Sequence, residues 1–127
     1  DCRPWRVAVR HPDRPQEILG KVEMQDDAIA TSSWYEHSFT LDGRMYHHLL
    51  DPKTGRPAPL TLKSVSVISS KPVYTDLLST PLFLLGLEEG LALVETLRKD
   101  SGASINTLIV TGEGTVLPSD GLVFYPV

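Results

Sequence analysis

Two polar segments of this chain carry residue types that could perform chemistry. Residues 46–57, YHHLLDPKTGRP, bring two imidazoles, a carboxylate, a hydroxyl and two cations into a strand-to-turn passage. Residues 75–80, TDLLST, place the carboxylate of Asp76 and the hydroxyl of Thr80 four positions apart in an otherwise apolar helix. Because polar groups are costly to place among apolar ones, the two segments together indicate a polar site on a small apolar domain.

Asp76 and Thr80 are candidate metal ligands. Side chains at positions i and i+4 of a helix project from the same face, so their oxygens can meet at one point. Such oxygen ligands suit a hard cation such as Mg²⁺, which typically shares phosphate oxygens with a substrate. In the alternative interpretation, Asp76 caps the helix or lies in its first turn, and Thr80 bonds back to a backbone carbonyl. The local pattern leaves both interpretations open.

Pro81 interrupts the same predicted helix. Proline has no N–H, so the carbonyl of Leu77 loses its usual helical partner. A kink at Pro81 would aim that carbonyl oxygen toward Asp76 and Thr80, whereas an early break would divide the segment into two short helices.

Two neighbouring histidines and a turn make up the other polar segment. His47 and His48 project to opposite sides if they lie in a strand, so only one can face a cleft; we favour His48. A neutral imidazole there could accept or give a proton near pH 7. The alternative for either residue is a surface histidine or a satisfied structural one. Asp51 and Thr54 belong to a turn by composition, because residues 51–55 are DPKTG.

Residues 30–33, ATSS, form a run of small residues and hydroxyls after a strand. This composition is compatible with close backbone approach to a phosphate, and it is also ordinary loop composition. The sequence contains no P-loop, dinucleotide glycine fingerprint, nucleophile elbow or zinc-ligand spacing. Local motifs alone therefore leave the function open.

The elements that must position these residues are strands, then two helices, then strands again. Alternating apolar and polar residues predict antiparallel strands, with 42–43 (DG) as a two-residue hairpin turn. Helices are predicted from about Pro72 to Leu85, with Ser70 as a hydroxyl cap, and from Glu88 to Lys99. The predicted strands are 5–10, 18–24, 28–32, 38–41, 45–50, 64–69, 105–111 and 115–117, with an edge segment at 122–125. This order predicts an α+β fold, an antiparallel sheet with two consecutive helices packed on it.

Composition limits the class of protein. The 127 residues, 41% hydrophobic and 22% charged, predict a single domain, residues 1–127, with one core. The 12 basic and 16 acidic residues give a net charge of -4, which argues against nucleic acid as a partner. No run approaches the roughly 18 apolar residues of a membrane span. Cys2 is the only cysteine, which excludes an internal disulfide, and a processed or truncated start is expected because the chain lacks an initiator methionine.

Taken in order, four segments of the chain resemble the ApbE family of flavin transferases. These segments are 28–32 (AIATS), 46–57, 64–68 (SVSVI) and 76–80 (DLLST). They follow the order and spacing of the family blocks ATS-G, HxxDPxTGxP and ADxxxT, and the resemblance covers almost the whole chain from Trp5 onward. It implies an enzyme that uses FAD and magnesium to attach FMN to a threonine or serine of a partner protein, with release of AMP. Some members of the family hydrolyse FAD instead.

The resemblance also implies roles for individual residues. Asp76 and Thr80 match the side-chain magnesium ligands of the family, which are the same two residues that the helical spacing selects. His48 and Asp51 match the histidine and aspartate of the HxxDP block, which implies catalytic roles, with His48 as a base. The residues implied to bind FAD are Thr31, Ser32, His48 and Thr54.

The chain departs from the family pattern at several places. Ser33 stands where glycine is usual, and Thr75 and Pro81 each stand where alanine is usual. The family's N-terminal half, with its GGxxKG-type segment, has no counterpart here, so the chain resembles the C-terminal half. A missing half in cis or in a second chain, an acceptor protein and a homo-oligomer are expected as partners, and a periplasmic or exported, membrane-anchored location is expected for the full-length family. The alternatives are an FAD pyrophosphatase that gives FMN and AMP, or a non-catalytic flavin-binding half-domain.

Overall fold

A computed structural model describes residues 3–127, so Asp1 and the single cysteine, Cys2, lie outside the described residues. The described residues form strands and two consecutive helices, as the sequence pattern predicts. The elements are β1 (Trp5–Arg10), β2 (Ile18–Met24), β3 (Ala28–Ser33), β4 (Ser38–Leu41), β5 (Arg44–His47), β6 (Leu62–Ser69), α1 (Pro72–Leu85), α2 (Leu87–Ser101), β7 (Ile105–Thr111), β8 (Val116–Pro118) and β9 (Phe124–Pro126). The predicted α+β class is confirmed.

The strands form three antiparallel sheets. A central sheet has the order β3-β6-β7-β8, a second sheet has the order β1-β2-β9, and β4 and β5 form a hairpin. The hairpin turns at the predicted position, where Leu41 pairs with Arg44. Asp42 and Gly43 adopt φ values of 49° and 75° there. Positive φ at both central residues suits the twist of a two-residue hairpin, which explains the preference for Asp-Gly.

The central sheet is covered on both faces. On β6, Val65 and Val67 face the helices, while Ile68 faces the sheet of β1, β2 and β9. The helix-side cluster comprises Leu49, Leu62, Val65, Val67, Leu78, Leu82, Phe83, Val94, Ala103, Ile105 and Ile109. The opposite cluster comprises Val9, Val22, Met24, Ile68 and Leu108. The prediction of one core was therefore wrong, because apolar residues on both faces of β6 and β7 are buried by two different layers.

Helix α1 runs without interruption through Pro81. The alternative in which Pro81 divides the segment into two short helices was therefore wrong. The predicted hydroxyl cap was also wrong: Lys71 is the N-cap residue and makes no side-chain capping bond. Ser69 accepts a hydrogen bond from the backbone N–H of Lys71 instead, at 3.2 Å. The helix ends at Gly86, as predicted.

Helix α2 extends from Leu87 to Ser101, with acidic residues in its first turn and basic residues in its last turn. This arrangement complements the helix dipole. Helix α1 packs on β3 and β6 and also contacts α2. Neither of the two helices formed by residues 3–127 has the length and apolar character needed to cross a membrane.

Strand β5 ends at His47, three residues earlier than the sequence pattern predicts. The chain leaves the hairpin there, because Leu50 forms an isolated bridge with Pro57 that closes a loop. This loop contains the DPKTG turn, and the helix that follows β6 lies against it. Residues 48–57 of the polar segment therefore lie outside the hairpin, and residues 51–53 border a cleft beside α1.

Candidate functional site

A cluster of three hydroxyls joins β3 to α1. Ser32 lies on the helix side of β3 and is only 9% exposed. Its Oγ donates to Oγ of Ser79 at 2.9 Å. The same Ser32 oxygen lies 2.9 Å from Oγ1 of Thr80. These two hydrogen bonds fix the lateral position of α1 on the central sheet at the residues that precede Pro81.

Asp76 and Thr80 lie on this helix, one turn apart. Asp76 is exposed, and its side chain forms no hydrogen bond or ion pair with any residue from 3 to 127. Thr80 is half-buried, and its hydroxyl bonds to Ser32 rather than back to a carbonyl. The first turn of the helix contains no acidic residue. The alternative of a cap for Asp76 and back-bonding for Thr80 was therefore wrong; it is Thr75 that bonds back, to the carbonyl of Pro72 at 2.7 Å.

The oxygens of Asp76 and Thr80 fit a hard divalent cation by their chemistry. One charged carboxylate and one neutral hydroxyl provide two oxygen ligands on the same helix face. Among residues 3–127 no group of three or more His, Cys, Asp and Glu side chains could hold a metal ion. A cation held by this pair would therefore take its other ligands from water, phosphate or backbone oxygens, as Mg²⁺ commonly does.

Thr31 and Ser32, both implied to bind FAD, face opposite sides of the central sheet. Oγ1 of Thr31 bonds to Oγ of Ser66 at 2.7 Å, on the face that points away from the helices. Thr31 also borders a cavity of about 260 Å³ that runs alongside β1. The structure thus brings Ser32 to Thr80 on the helix side of the sheet and directs Thr31 to the opposite face.

The neighbouring histidines also separate. His47 is buried, and its Nε2 donates to the carbonyl of Ala58 at 2.9 Å. Its ring meets the ring of Phe83 edge to face, with the centroids 6.3 Å apart. His48 is exposed, its backbone N–H donates to the carbonyl of His37 at 3.1 Å, and its ring meets that of His37 at 5.2 Å. The expectation that only one of the two histidines is accessible agrees with this geometry.

Asp51 and Thr54 shape the turn that follows. Oδ1 of Asp51 accepts from the backbone N–H of Lys53 at 2.8 Å, and the Asp51 carbonyl accepts from Gly55 at 2.8 Å. Oγ1 of Thr54 accepts from the backbone N–H of Arg56 at 3.3 Å. These are the local side-chain bonds expected of a turn. One carboxylate oxygen of Asp51 is thus engaged in the turn.

The turn and helix α1 enclose a cleft of about 520 Å³. Its lining is Asp51, Pro52, Lys53, Ala58, Pro59, Pro81, Leu84, Leu85 and Glu89. Pro81, Leu84 and Leu85 form its helical wall, and neither Asp76 nor Thr80 lines it. The structure therefore brings the Asp51 turn and the C-terminal half of α1 to one side of the molecule.

Two residues of this region were not selected from the sequence. Ser79 receives the hydrogen bond of Ser32, and His37 contacts His48 through both its carbonyl and its ring. Ser79 could have been found only as a small polar residue next to Thr80 in an apolar helix. His37 carries no local signal, because its contact depends on the β4–β5 hairpin.

A protein-family model described as the ApbE family matches residues 1–105, most of the chain and every candidate site residue. The chain belongs to the ApbE family. This membership agrees with the resemblance that the ordered motifs indicate.

Individual ApbE relatives agree in sequence and structure. An FAD:protein FMN transferase of Klebsiella pneumoniae is 34% identical over 113 residues, which is 88% of this chain and 31% of that relative. One of Vibrio cholerae is 40% identical over 96 residues, 75% of this chain and 29% of the relative. The crystal structure of the ApbE protein from Thermotoga maritima superposes with a TM-score of 0.76 at 34% identity, covering 93% of this chain and 37% of that one. The chain therefore spans about a third of the length of these relatives.

Proposed function

We propose that this ApbE-family chain contributes to a Mg²⁺-dependent transfer of FMN from FAD to a threonine or serine of a partner protein, with release of AMP. The observation that carries the proposal is the accessible carboxylate of Asp76 beside the hydroxyl of Thr80 on one face of α1. Support comes from the relatives named FAD:protein FMN transferase, whose similarity extends over 88% and 75% of this chain.

A magnesium ion bound by such ligands neutralises charge that develops on phosphorus when a pyrophosphate bond is cleaved. The carboxylate of Asp76 would supply the negative charge that attracts the cation. The hydroxyl of Thr80 would supply a second oxygen ligand that carries no charge. A cation held by these two residues would have positions left for water and for phosphate oxygens of FAD. This division suits a reaction in which the substrate itself must reach the cation.

His48 is the group that we assign to the proton of the acceptor hydroxyl. Its imidazole is exposed, and the contact with His37 limits the orientations that the ring can adopt. We assign Asp51 to the same reaction through the turn that its carboxylate shapes, because this turn forms one wall of the cleft beside α1. Of the three hydroxyl residues proposed to bind FAD, Thr54 is exposed on the turn, Ser32 is buried, and Thr31 lies on the face of the sheet away from the helices.

The relatives that this chain matches are about three times its length, and the site described above contains only two side-chain ligands for a cation. We propose that a second segment, in the same polypeptide or in another chain, completes the FAD pocket. This proposal also accounts for the exposed position of Asp76, which lies on a surface that a further segment could cover.

The test is to incubate the chain, in the polypeptide that carries it, with FAD, Mg²⁺ and an acceptor protein whose acceptor threonine is free of flavin. Covalent flavin is measured by fluorescence of the denatured acceptor after electrophoresis. Transfer should be lost on chelation of Mg²⁺ and should fall by about 100-fold or more in Asp76→Asn, because loss of a metal ligand removes several kcal/mol of charge stabilisation.

Val73→Ala is the matched control, since Val73 lies on the same helix and is 57% exposed. This variant should transfer flavin at the wild-type rate. Undiminished transfer by Asp76→Asn would refute the assignment of the cation site. Release of free FMN with none on the acceptor would instead show the pyrophosphatase reaction.

A further inference from the structure

The hydrogen bonds of the hydroxyl cluster between β3 and α1 run in one direction, from donor to acceptor. A serine hydroxyl has one hydrogen and can accept through its lone pairs. Ser32 donates its single hydrogen to Oγ of Ser79, at 2.9 Å. The second contact of Ser32, to Oγ1 of Thr80 at 2.9 Å, permits either oxygen as donor by its geometry, and we assign Thr80 as the donor because Ser32 has no second hydrogen. The chain of donors runs from Thr80 to Ser32 to Ser79.

This direction matters for a hydroxyl that binds a cation. A neutral hydroxyl binds a cation through an oxygen lone pair, so its hydrogen must point away from the cation. With its hydrogen on Ser32, Thr80 has both lone pairs available on the side away from β3. A hydroxyl without this acceptor would be free to rotate its hydrogen into the cation position.

We propose that Ser32 and Ser79 are positioning residues that orient the Thr80 hydroxyl for a divalent cation held together with Asp76. The inference rests on the cation pair of the proposed function and deepens it. It also revises the role implied for Ser32: its hydroxyl is committed to α1 and acts on the site through Thr80 rather than on FAD.

Burial protects the hydrogen bonds of the hydroxyl cluster from competition by water. Ser32 is 9% exposed and Ser79 is 3% exposed, so bulk water competes little for their hydrogen bonds. Within the described residues, the only buried side-chain nitrogen or oxygen without a partner is Nδ1 of His47. The hydroxyl cluster is thus satisfied internally, and removal of one member leaves another without its partner.

The experiment measures binding of Mn²⁺, which prefers the same oxygen ligands as Mg²⁺ and is visible by electron paramagnetic resonance. Free Mn²⁺ is titrated against the polypeptide that carries this chain, and the dissociation constant is obtained for each variant. Thr80→Val removes the ligating hydroxyl with little change in shape. Ser32→Ala removes only the acceptor of its hydrogen and should raise the dissociation constant by about tenfold, as loss of a partner to a metal ligand commonly does.

A double variant separates positioning from general stability. If Ser32 acts through Thr80, adding Ser32→Ala to Thr80→Val should produce no further loss of Mn²⁺ affinity. Ser66→Ala is the matched control, because it removes a buried serine hydroxyl on the other face of the sheet, and it should bind Mn²⁺ as the wild type does. Wild-type affinity in Ser32→Ala, or additive losses in the double variant, would overturn the proposal.

Ser79→Ala provides an independent variant, which keeps the proposal testable if Ser32→Ala does not fold. Without Ser79 as its acceptor, the hydrogen of Ser32 turns to Thr80 and occupies one of its lone pairs, so Mn²⁺ should again bind more weakly. A lower melting temperature with unchanged Mn²⁺ affinity would contradict this. If Thr80→Val is the only variant that binds Mn²⁺ more weakly, the positioning role is overturned and the cation pair stands. If the wild type binds no Mn²⁺, the cation pair is overturned as well.

Discussion

Truncation of Phe83 should destabilise the protein strongly. Phe83 is 1% exposed in the helix-side cluster, where its ring meets that of His47. Phe→Ala changes at such positions cost about 3–5 kcal/mol, since apolar transfer energy is lost and a cavity remains. With about 2.1 cal/mol/K of unfolding entropy per residue, a 127-residue domain has roughly 0.27 kcal/mol/K, so the melting temperature should fall by about 11–19 °C.

The assay is thermal unfolding followed by circular dichroism at 222 nm, with urea unfolding as a second measurement. Leu77→Ala is the matched control, because Leu77 lies on the same helix and is 61% exposed. This change should alter stability by no more than about 0.5 kcal/mol, or roughly 2 °C. A fall of less than about 4 °C for Phe83→Ala, or equal effects of the two variants, would refute the packing of α1 on the sheet through this ring.

Three further changes have outcomes set by backbone geometry. Gly20→Ala would place a Cβ 2.5 Å from ring atoms of Phe124, so β9 should detach, with a loss of about 1–3 kcal/mol and faster amide exchange in β9; slow exchange there would contradict this. Pro81→Ala restores an N–H for the carbonyl of Leu77 and should stabilise α1 by about 1–3 kcal/mol in urea unfolding, and a lower unfolding midpoint would speak against it. Gly43→Ala, at a φ of 75°, should cost about 1 kcal/mol in the same assay, and a neutral result would show that the hairpin turn relaxes.

The elements with strong local signals were predictable from the sequence. Strand β2 and the 42–43 hairpin turn have the predicted bounds, since alternation and turn residues act over a few neighbours. The partners of the strands were not predictable in this way. Pairing of Val22 with Phe124 joins segments about a hundred residues apart, and no local pattern specifies it. The β9 strand adds Phe124 to the second apolar cluster as a partly buried neighbour.

Some features of the candidate site were likewise predictable from the sequence, and others were not. The spacing of Asp76 and Thr80 on one helix face was predictable, because helical periodicity alone determines it. The contact of Thr80 with Ser32 spans 48 positions in the sequence and depends on how α1 packs on β3. The burial of His47 likewise requires the loop that brings Ala58 to its ring. Hydroxyls and imidazoles carry no sequence pattern that identifies such distant partners.

The alternation of Thr31 and Ser32 across β3 makes this strand intolerant of a change in length. Side chains in a strand change face at every residue, so deletion of one residue before Thr31 would exchange the two hydroxyls. Thr31 would then meet the helix, and Ser32 would meet Ser66 in the other layer. Homologues should therefore accept insertions and deletions in residues 25–27, which connect β2 to β3, only when β3 keeps its pairing with β6. Comparison of loop lengths among ApbE sequences would show this constraint directly.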